Sequence, residues 1–471
     1  TLAVHGNGME AGNGMKANHD RTFVRAAIAL ALAASAAPAA AQVPGDTTLP
    51  SGVQLKLVYE TQYRPRLAVQ PFGGADVGGA AEEAHRIVQR DLDYSDRFDM
   101  LFSIPAALRQ GADYSGWNGL GVVYLVTGGM ERSESDGWRL RLALHDVVYG
   151  SVKEIRLFDL PPADDDAFRM AVHAVSDEVV RWATGEPGMA ATRIALTRHL
   201  GDGTYELLMV DSDGENLERV DTHLRLYSPA WSPDGRRLAY QYGDEERNSL
   251  VERDLRTGRV KTLTEARILA QTPSYAPDGE KLAIALWVDR GMEIHEYDVA
   301  RDCCLRRLSR RPRIDMHPSY SPDGRRLAFQ SDRLGNPQIF TMEAGGGDAI
   351  LITAFEVGGA GYYTSPEWSP RASQLVFHGR SRGGVFQIMI ADANRPGAPV
   401  QQITSQGRSE DPSWAPDGRH IVFSGVREDG MGLYVIDLVT GRIRPLVTGG
   451  RYRMPAWSPQ LADAAPLAAR P

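Results

Sequence analysis

The side chains with most chemical potential in this sequence are two adjacent cysteines, eleven histidines, a glycine-rich loop, an arginine cluster and a set of recurring aspartates. Cys303 and Cys304 are the only cysteines, too few for a disulfide framework or a structural zinc site. As neighbours they can form a vicinal disulfide in an oxidising compartment or remain two turn thiols. No histidines stand in H-E-x-x-H or at paired metal spacing. His317 and His378 fall on or near expected inner strands, where a single histidine reads as a structural or interface residue. Gly73-Gly74-Ala75-Asp76-Val77-Gly78-Gly79 follows a strand but matches neither the P-loop nor the dinucleotide fingerprint, and reads as a strand-to-helix loop. Arg306, Arg307, Arg310, Arg311 and Arg313 form a local basic cluster in a chain of net charge -8. They read as a solvated loop, and without a basic stripe to neutralise phosphates a nucleic-acid binder is excluded. The expected inventory is therefore no catalytic residue, no metal and no cofactor.

The aspartates belong to a repeat. Trp231-Ser232-Pro233-Asp234-Gly235 recurs at Tyr275, Tyr320 and Trp414, with degenerate copies at Trp368 and Trp457; successive aromatics lie 44, 45, 48, 46 and 43 residues apart. Proline fixes φ for the second position of a tight turn, aspartate caps its own backbone and glycine accepts positive φ. These aspartates are therefore caps, not catalytic acids. Each turn is followed by a short strand such as Arg326-Leu327-Ala328-Phe329, then a second and a third. With the strand entering the next turn, four strands per repeat at this period make a propeller blade. Too little sequence follows Trp457 for three more strands, but Arg193–Leu196, Glu206–Val210 and Leu217–Val220 supply them upstream. Met454–Ser458 is therefore expected to pair with Arg193–Leu196 and close a six-bladed ring over 188–461, with 462–471 as a tail.

Two further segments precede the ring. Met15 to Gln42 carries Lys16, Arg21 and Arg25, an apolar run Ala26–Ala37, then Pro38 and Ala39-Ala40-Ala41. That is the layout of a secretory signal cleaved after Ala41, with an apolar run well short of the roughly 20 residues that span a bilayer. No membrane span is expected elsewhere. Residues 42–187 alternate strand and helix patterns: strands at Leu55–Tyr59, Leu67–Phe72, Val122–Thr127, Trp138–His145 and Ile155–Leu160, and helices at Ala81–Leu92 and after Asp164-Asp165-Asp166. The fold class is thus an α/β N-terminal domain plus an all-β six-bladed propeller. Propellers of this kind also occur in prolyl-oligopeptidase-like enzymes. Those need an α/β-hydrolase domain with a nucleophile elbow and downstream Asp and His, and neither the elbow nor room for the domain after Trp457 is expected here.

Ser228-Pro229-Ala230-Trp231-Ser232-Pro233-Asp234-Gly235, Phe329-Gln330-Ser331-Asp332-Arg333-Leu334-Gly335-Asn336-Pro337-Gln338-Ile339-Phe340, Asp177-Glu178-Val179 and the Pro455-Ala456-Trp457-Ser458-Pro459 closure resemble the TolB family of the periplasmic Tol–Pal system. The resemblance covers nearly all of the expected mature chain. It implies a monomeric, non-catalytic hub whose propeller mouth binds the lipoprotein Pal and whose mature N-terminus binds TolA, supporting outer-membrane integrity and invagination during division. It also implies bacteriocins as users of the propeller site. On that basis the Pal-binding residues are Ser228, Gln271, Thr272, Met316, His317, Thr364, Ser365, Glu410, Asp411 and Arg453, at the start of the innermost strands. Leu269 departs from the commoner histidine. The TolA-binding segment is Gln42, Val43, Pro44, Gly45, Asp46, Thr47, Thr48 and Leu49. The other reading is an exported propeller holding a small ligand or glycan in its channel.

Overall fold

The structure, a computed structural model, describes residues 53–54, 63–74, 79–134, 136–244, 248–264, 269–310, 314–354, 361–381 and 383–461. The secretory signal, the segment 42–49, the strand expected at Leu55–Tyr59 and the tail 462–471 lie outside the described residues.

The α/β part is a five-stranded sheet in the order Asp99–Met100, Arg66–Val69, Tyr124–Arg132, Trp138–Asp146, Ser151–Leu160. The first three strands run parallel and the last two pair antiparallel as hairpins. Helices α1 (Ala80–Tyr94) and α3 (Ala167–Thr184) cover one face. The apolar positions Ala84, Ile87, Val88 and Leu92 of α1 and Phe168, Val172, Val175 and Val179 of α3 meet Leu140, Leu142 and Leu144 of the sheet. Helical and two-residue periods therefore converge on one core. Asp165 caps α3 by accepting from the Ala167 N–H (2.8 Å). A short helix α2 (Tyr114–Gly119) places Trp117 on the opposite face beside Leu125 and Val147.

The remaining strands form six sheets of the propeller. Their inner strands are Arg225–Trp231, Ala270–Tyr275, Asp315–Tyr320, Tyr363–Trp368, Arg408–Trp414 and Tyr452–Trp457, and blades are numbered first to sixth in that order. The second strand of each blade is buried on both faces, as in Lys281–Val288 and Arg326–Ser331, so it reads as a continuous apolar run. Its side chains and those of the third strand pack between neighbouring sheets: Ala283, Ile294, Leu327, Phe329 and Phe340 join the second and third blades. The turn chemistry is as read. In the third blade Asp323 accepts from the Ser321 hydroxyl (2.6 Å) and the Arg325 N–H (3.1 Å), and Gly324 takes φ 69°. Residues Tyr452–Trp457 pair with Arg193–His199 in the register Trp457↔Ile194 and Ala456↔Ala195, which closes the sixth blade from both ends of the repeat.

Cys303 and Cys304 are joined as a vicinal disulfide at the start of the second blade's outer strand, Cys303–Arg307. Val53–Gln54 lies parallel to Val400–Gln402, the outer strand of the fourth blade, and makes it five-stranded. Asp177 of α3 ties the two parts together. Its carboxylate accepts from the N–H groups of Ala190 (2.8 Å) and Ala191 (2.9 Å) and from Gln460 (3.0 Å). Burial outweighs those hydrogen bonds and pushes its carboxyl up to about 7.

Candidate functional site

In each inner strand, the residue before the Pro of the Pro-x-aromatic element has left the extended region. Ser228, Thr272, His317, Ser365, Asp411 and Met454 all have φ between 48° and 55°, where a residue with a Cβ is strained and a proline follows. Each sits at a register shift between the inner and second strands, such as Tyr227/Ala230 or Gln271/Ser274. The left-handed turn rotates backbone N–H groups along the ring instead of across the blade. Ser228 N–H meets Met454 Sδ (3.4 Å), His317 N–H meets Thr272 Oγ1 (3.1 Å), Asp411 N–H meets His378 Nδ1 (3.1 Å), and Met454 N–H meets Asp411 Oδ2 (3.4 Å). Three of these four link one blade's ring residue to the ring residue before it. A second tier ties the motif aromatics the same way: Trp368, Trp414 and Trp457 N–H groups donate to Ser319 (2.9 Å), Glu367 (2.9 Å) and Ser413 (3.0 Å).

The six strained residues line one cavity of about 330 Å3 that runs on to Trp231, Trp368, Trp457 and Pro459. Five of the ten residues assigned from sequence are thus brought together: Ser228, Thr272, His317, Ser365 and Asp411. They lie mid-strand in the throat, not at the strand start, because the bulge that turns them inward needs paired residues on both sides. The other five, each one position earlier, are outside the cavity lining. Gln271 and Met316 pair with Ala285 and Gln330 of their own second strands. Thr364 is buried on Gln330. Glu410 is held by Arg408 (2.6 Å) and Arg453 (2.5 Å). Leu269 immediately precedes the second inner strand, whose Ala270 is buried.

The throat's titrating groups pull apart. Burial, helped by the neighbouring His378, pushes the His317 imidazole down to about 4. Burial opposes ionisation of Asp411, but His378, Arg453 and the Ser424 hydroxyl hold its carboxyl below the usual range. Glu367 was missed in the sequence. It replaces the Ala or Ser of the other five copies (Ala230, Ser274, Ser319, Ser413, Ala456), and that departure was the available signal. Burial raises its carboxyl to about 7, against its hydrogen bonds to Trp414 and Ser413.

Consecutive blade strands are antiparallel, so hairpins between second and third strands share one end of the ring with connections entering the inner strands. That end carries the exposed apolar side chains Leu200, Trp287, Leu334, Val385, Val426 and Met431 in or beside hairpins of five blades. Leu224 and Ile314 join them in the connections, all eight being 38–47% exposed. The α/β part docks at the opposite end, through charge. Arg442 binds Asp93 (2.9 Å) and Asp96 (3.1 Å), and Arg419, held by Asp437 of its own blade (2.5 Å), donates to the Asp96 carbonyl (2.9 Å). His420 bridges Asp417 (2.7 Å) and Asp96 (3.4 Å). On the sixth-blade side Arg169 and Arg90 of the α/β part hold Asp213 (2.8 and 3.1 Å), and His173, paired with Asp91 within the α/β part (2.8 Å), faces Asp211 (3.9 Å), which Arg193 of its own blade also holds (3.1 Å). Asp91, His173 and Asp213 bring donor atoms within 4.8 Å. Their lone pairs already meet an imidazole N–H and two guanidiniums, so they fit an ion-paired seam better than a metal centre. Burial alone would lower both histidines, but the facing carboxylates raise each to about 9.

The elbow expected to be missing does occur as a spacing, Gly379-Arg380-Ser381-Arg382-Gly383. It lies in the hairpin between Gln374–Arg380 and Phe386–Asp392, where Ser381 N–H donates to Val385 O (2.9 Å). A nucleophile elbow needs a strand-to-helix turn, and a strand follows here.

Residues 180–461 match the family described as the TolB beta propeller domain, and residues 53–152 match the TolB amino-terminal domain. The chain is 35% identical to the Tol-Pal system protein TolB of Alcanivorax borkumensis over 47% of its length and 51% of the relative's. It is 34% identical to that of Anaeromyxobacter dehalogenans over 56% of its length and 60% of the relative's. The chain thus spans about half the length of the curated relatives it matches. The crystal structure of TolB from Acinetobacter baumannii superposes with a TM-score of 0.74 at 28% identity, covering 84% of this chain and 97% of that one. With both parts of the fold matched in order, and the propeller match alone spanning more than half of the sequence, the chain belongs to the TolB family.

Proposed function

We propose that this protein is a non-catalytic interaction hub of the Tol–Pal system, working in the periplasm as a monomer. In this reading the propeller mouth binds the lipoprotein Pal, and residues 42–49 bind TolA, supporting outer-membrane integrity and invagination at division. Bacteriocins would use the same mouth. The observation that carries the reading is the set of exposed apolar side chains on the end of the ring opposite the described residues of the α/β part. Clustered exposed apolar groups with a polar surround mark protein-binding faces, and hairpin tips vary without disturbing the blades beneath. TolA recognition of an extended segment rests on backbone pairing, which needs little side-chain identity.

The test is a calorimetric titration of the mature protein with Pal of its own organism. Interface energy concentrates in few residues, so Thr272→Ala, Met316→Ala, His317→Ala and Asp411→Ala combined should weaken Pal by at least about tenfold, or about 1.4 kcal/mol. Unaltered affinity moves the site away from the mouth. A chain lacking residues 42–52 should lose TolA and keep Pal. The second reading, a small ligand or glycan in the channel, is favoured by the 330 Å3 throat. It predicts that Pal gives no heat while a soluble ligand protects the throat.

A further inference from the structure

Arg306, Arg307 and Arg310 of the arginine cluster line a groove that the proposed function does not use, while Arg311 and Arg313 lie outside the described residues. Arg306, Arg307 and Arg310 stand on one side of a groove of about 710 Å3 between the second and third blades, with Arg333 and the Gly345–Ala349 turn on the other. Buried Leu308, Phe329 and Met342 form its floor. Three of the guanidiniums are positioned from behind. Arg306 binds Glu296 (3.0 Å) and reaches across to Gly345 O (2.8 Å). Arg307 binds Glu293 and Ser309 O. Arg333 binds Asp315 (3.1 Å) and stacks 4.6 Å from the Phe340 ring centre. The carboxylates that fix the last two are themselves covered, Glu293 at 4% and Asp315 at 0% exposed. What faces the groove is therefore guanidinium. Among the described residues Arg307 Nη1 and Arg333 Nη1 carry no hydrogen bond and Arg310 has no partner. A Cβ at Gly345 or Gly347 would meet nothing within 4 Å, so a ligand can approach that backbone closely. Asp348 is the one carboxylate in the lining.

We propose that this groove binds a phosphate-type oxyanion, carried either by a small soluble ligand or by a lipid headgroup. Arg306, Arg307 and Arg333 are held rigid by their own ion pairs yet keep donors free, which suits multidentate charge-assisted bonds to several oxygens of one group. In a chain of net charge -8 the attraction is local, and falls off within a screening length of about 8 Å at physiological salt.

The test titrates the full chain with inorganic pyrophosphate by calorimetry, and in parallel floats it with vesicles of phosphatidylcholine with and without phosphatidylglycerol. We expect pyrophosphate or the anionic vesicles to bind at 150 mM salt, with a free-ligand Kd below about 1 mM. Binding of free pyrophosphate alone assigns a soluble ligand; binding of anionic vesicles alone assigns a headgroup. Arg310→Glu should weaken the interaction at least about tenfold, and Arg310→Gln by less, both with unchanged melting because Arg310 is exposed and unpaired. Arg290→Glu, an exposed hairpin change in the same blade, should leave it within about twofold. No binding of either probe, or equal losses from Arg290→Glu and Arg310→Glu, would overturn the proposal.

Discussion

Raising the pH should loosen the seam between the α/β part and the propeller before the blades themselves give way. His173 and His420 are both fully buried, and both sit where carboxylates of one part meet the other. Their folded values of about 9 lie above the ordinary 6.5, so the unfolded chain gives up these protons first. The stabilisation is fully present below pH 6.5 and is lost as pH rises through about 9. At 1.36 kcal/mol per unit, the gap is worth at most about 3 kcal/mol for each imidazole. Asp177 and Glu367, raised to about 7, are already mostly ionised at pH 7.5, so the loss between pH 7.5 and 9.5 belongs mainly to the two histidines. Urea midpoints at pH 6.0, 7.5 and 9.5 for the parent chain, His173→Gln, His420→Gln and the double variant measure this. Glutamine keeps a donor for Asp91 or Asp417 but no charge. The parent should lose several kcal/mol across the upper interval, and the double variant should start weaker and stay nearly flat. Parallel pH profiles for the parent and the double variant would refute the reasoning.

Two more outcomes follow from the same geometry. A chain ending at Gly450 removes Tyr452–Trp457 and bares the inner edge of Arg193–His199; it should melt far below the full chain, and an equal melting temperature would remove the closure argument. Glu367→Gln keeps an oxygen for the Trp414 N–H while discarding a carboxylate that burial disfavours, so it should stabilise the propeller at pH 8 by about 1 kcal/mol and do little at pH 5. Equal effects at both pH values would mean that burial is not what raises that carboxyl.

The ring was legible because its signals are local. Aromatic spacing, Pro-Asp-Gly turns and the orphan strands at 193–220 each state a turn or a strand by themselves, and together they fix six blades and the closure. The α/β part was legible from the apolar stripes of α1 and α3. What stayed hidden depends on neighbours distant in sequence. Positive φ at Ser228, Thr272, His317, Ser365, Asp411 and Met454 arises as the bulged strands pass around a shared throat, and no residue type there announces it, so sequence position alone does not separate the residue that lines the throat from the neighbour before it. The seam was invisible because Asp91, His173, Asp211 and His420 come from four separate segments. The arginine cluster was seen, but whether it faced solvent or a groove depended on where the Gly345–Ala349 turn of the next blade lay.

The closure of the sixth blade also fixes an order of events in time. Arg193 and Ser458 are hydrogen-bonded across 265 residues, whereas the four propeller strands of each of the first five blades come from one repeat. Blades of such local pairing form early, and a contact with this separation forms last. As the chain emerges from its N-terminus, the strands Arg193–His199, Tyr205–Asp211 and Glu218–His223 are made first among those of the ring and wait longest for their partner. For that interval the nascent protein carries an open sheet edge, the kind of surface on which aggregation and holding by chaperones act. The device that leaves the finished ring without that edge thus makes its oldest part the most vulnerable while the rest is still being built.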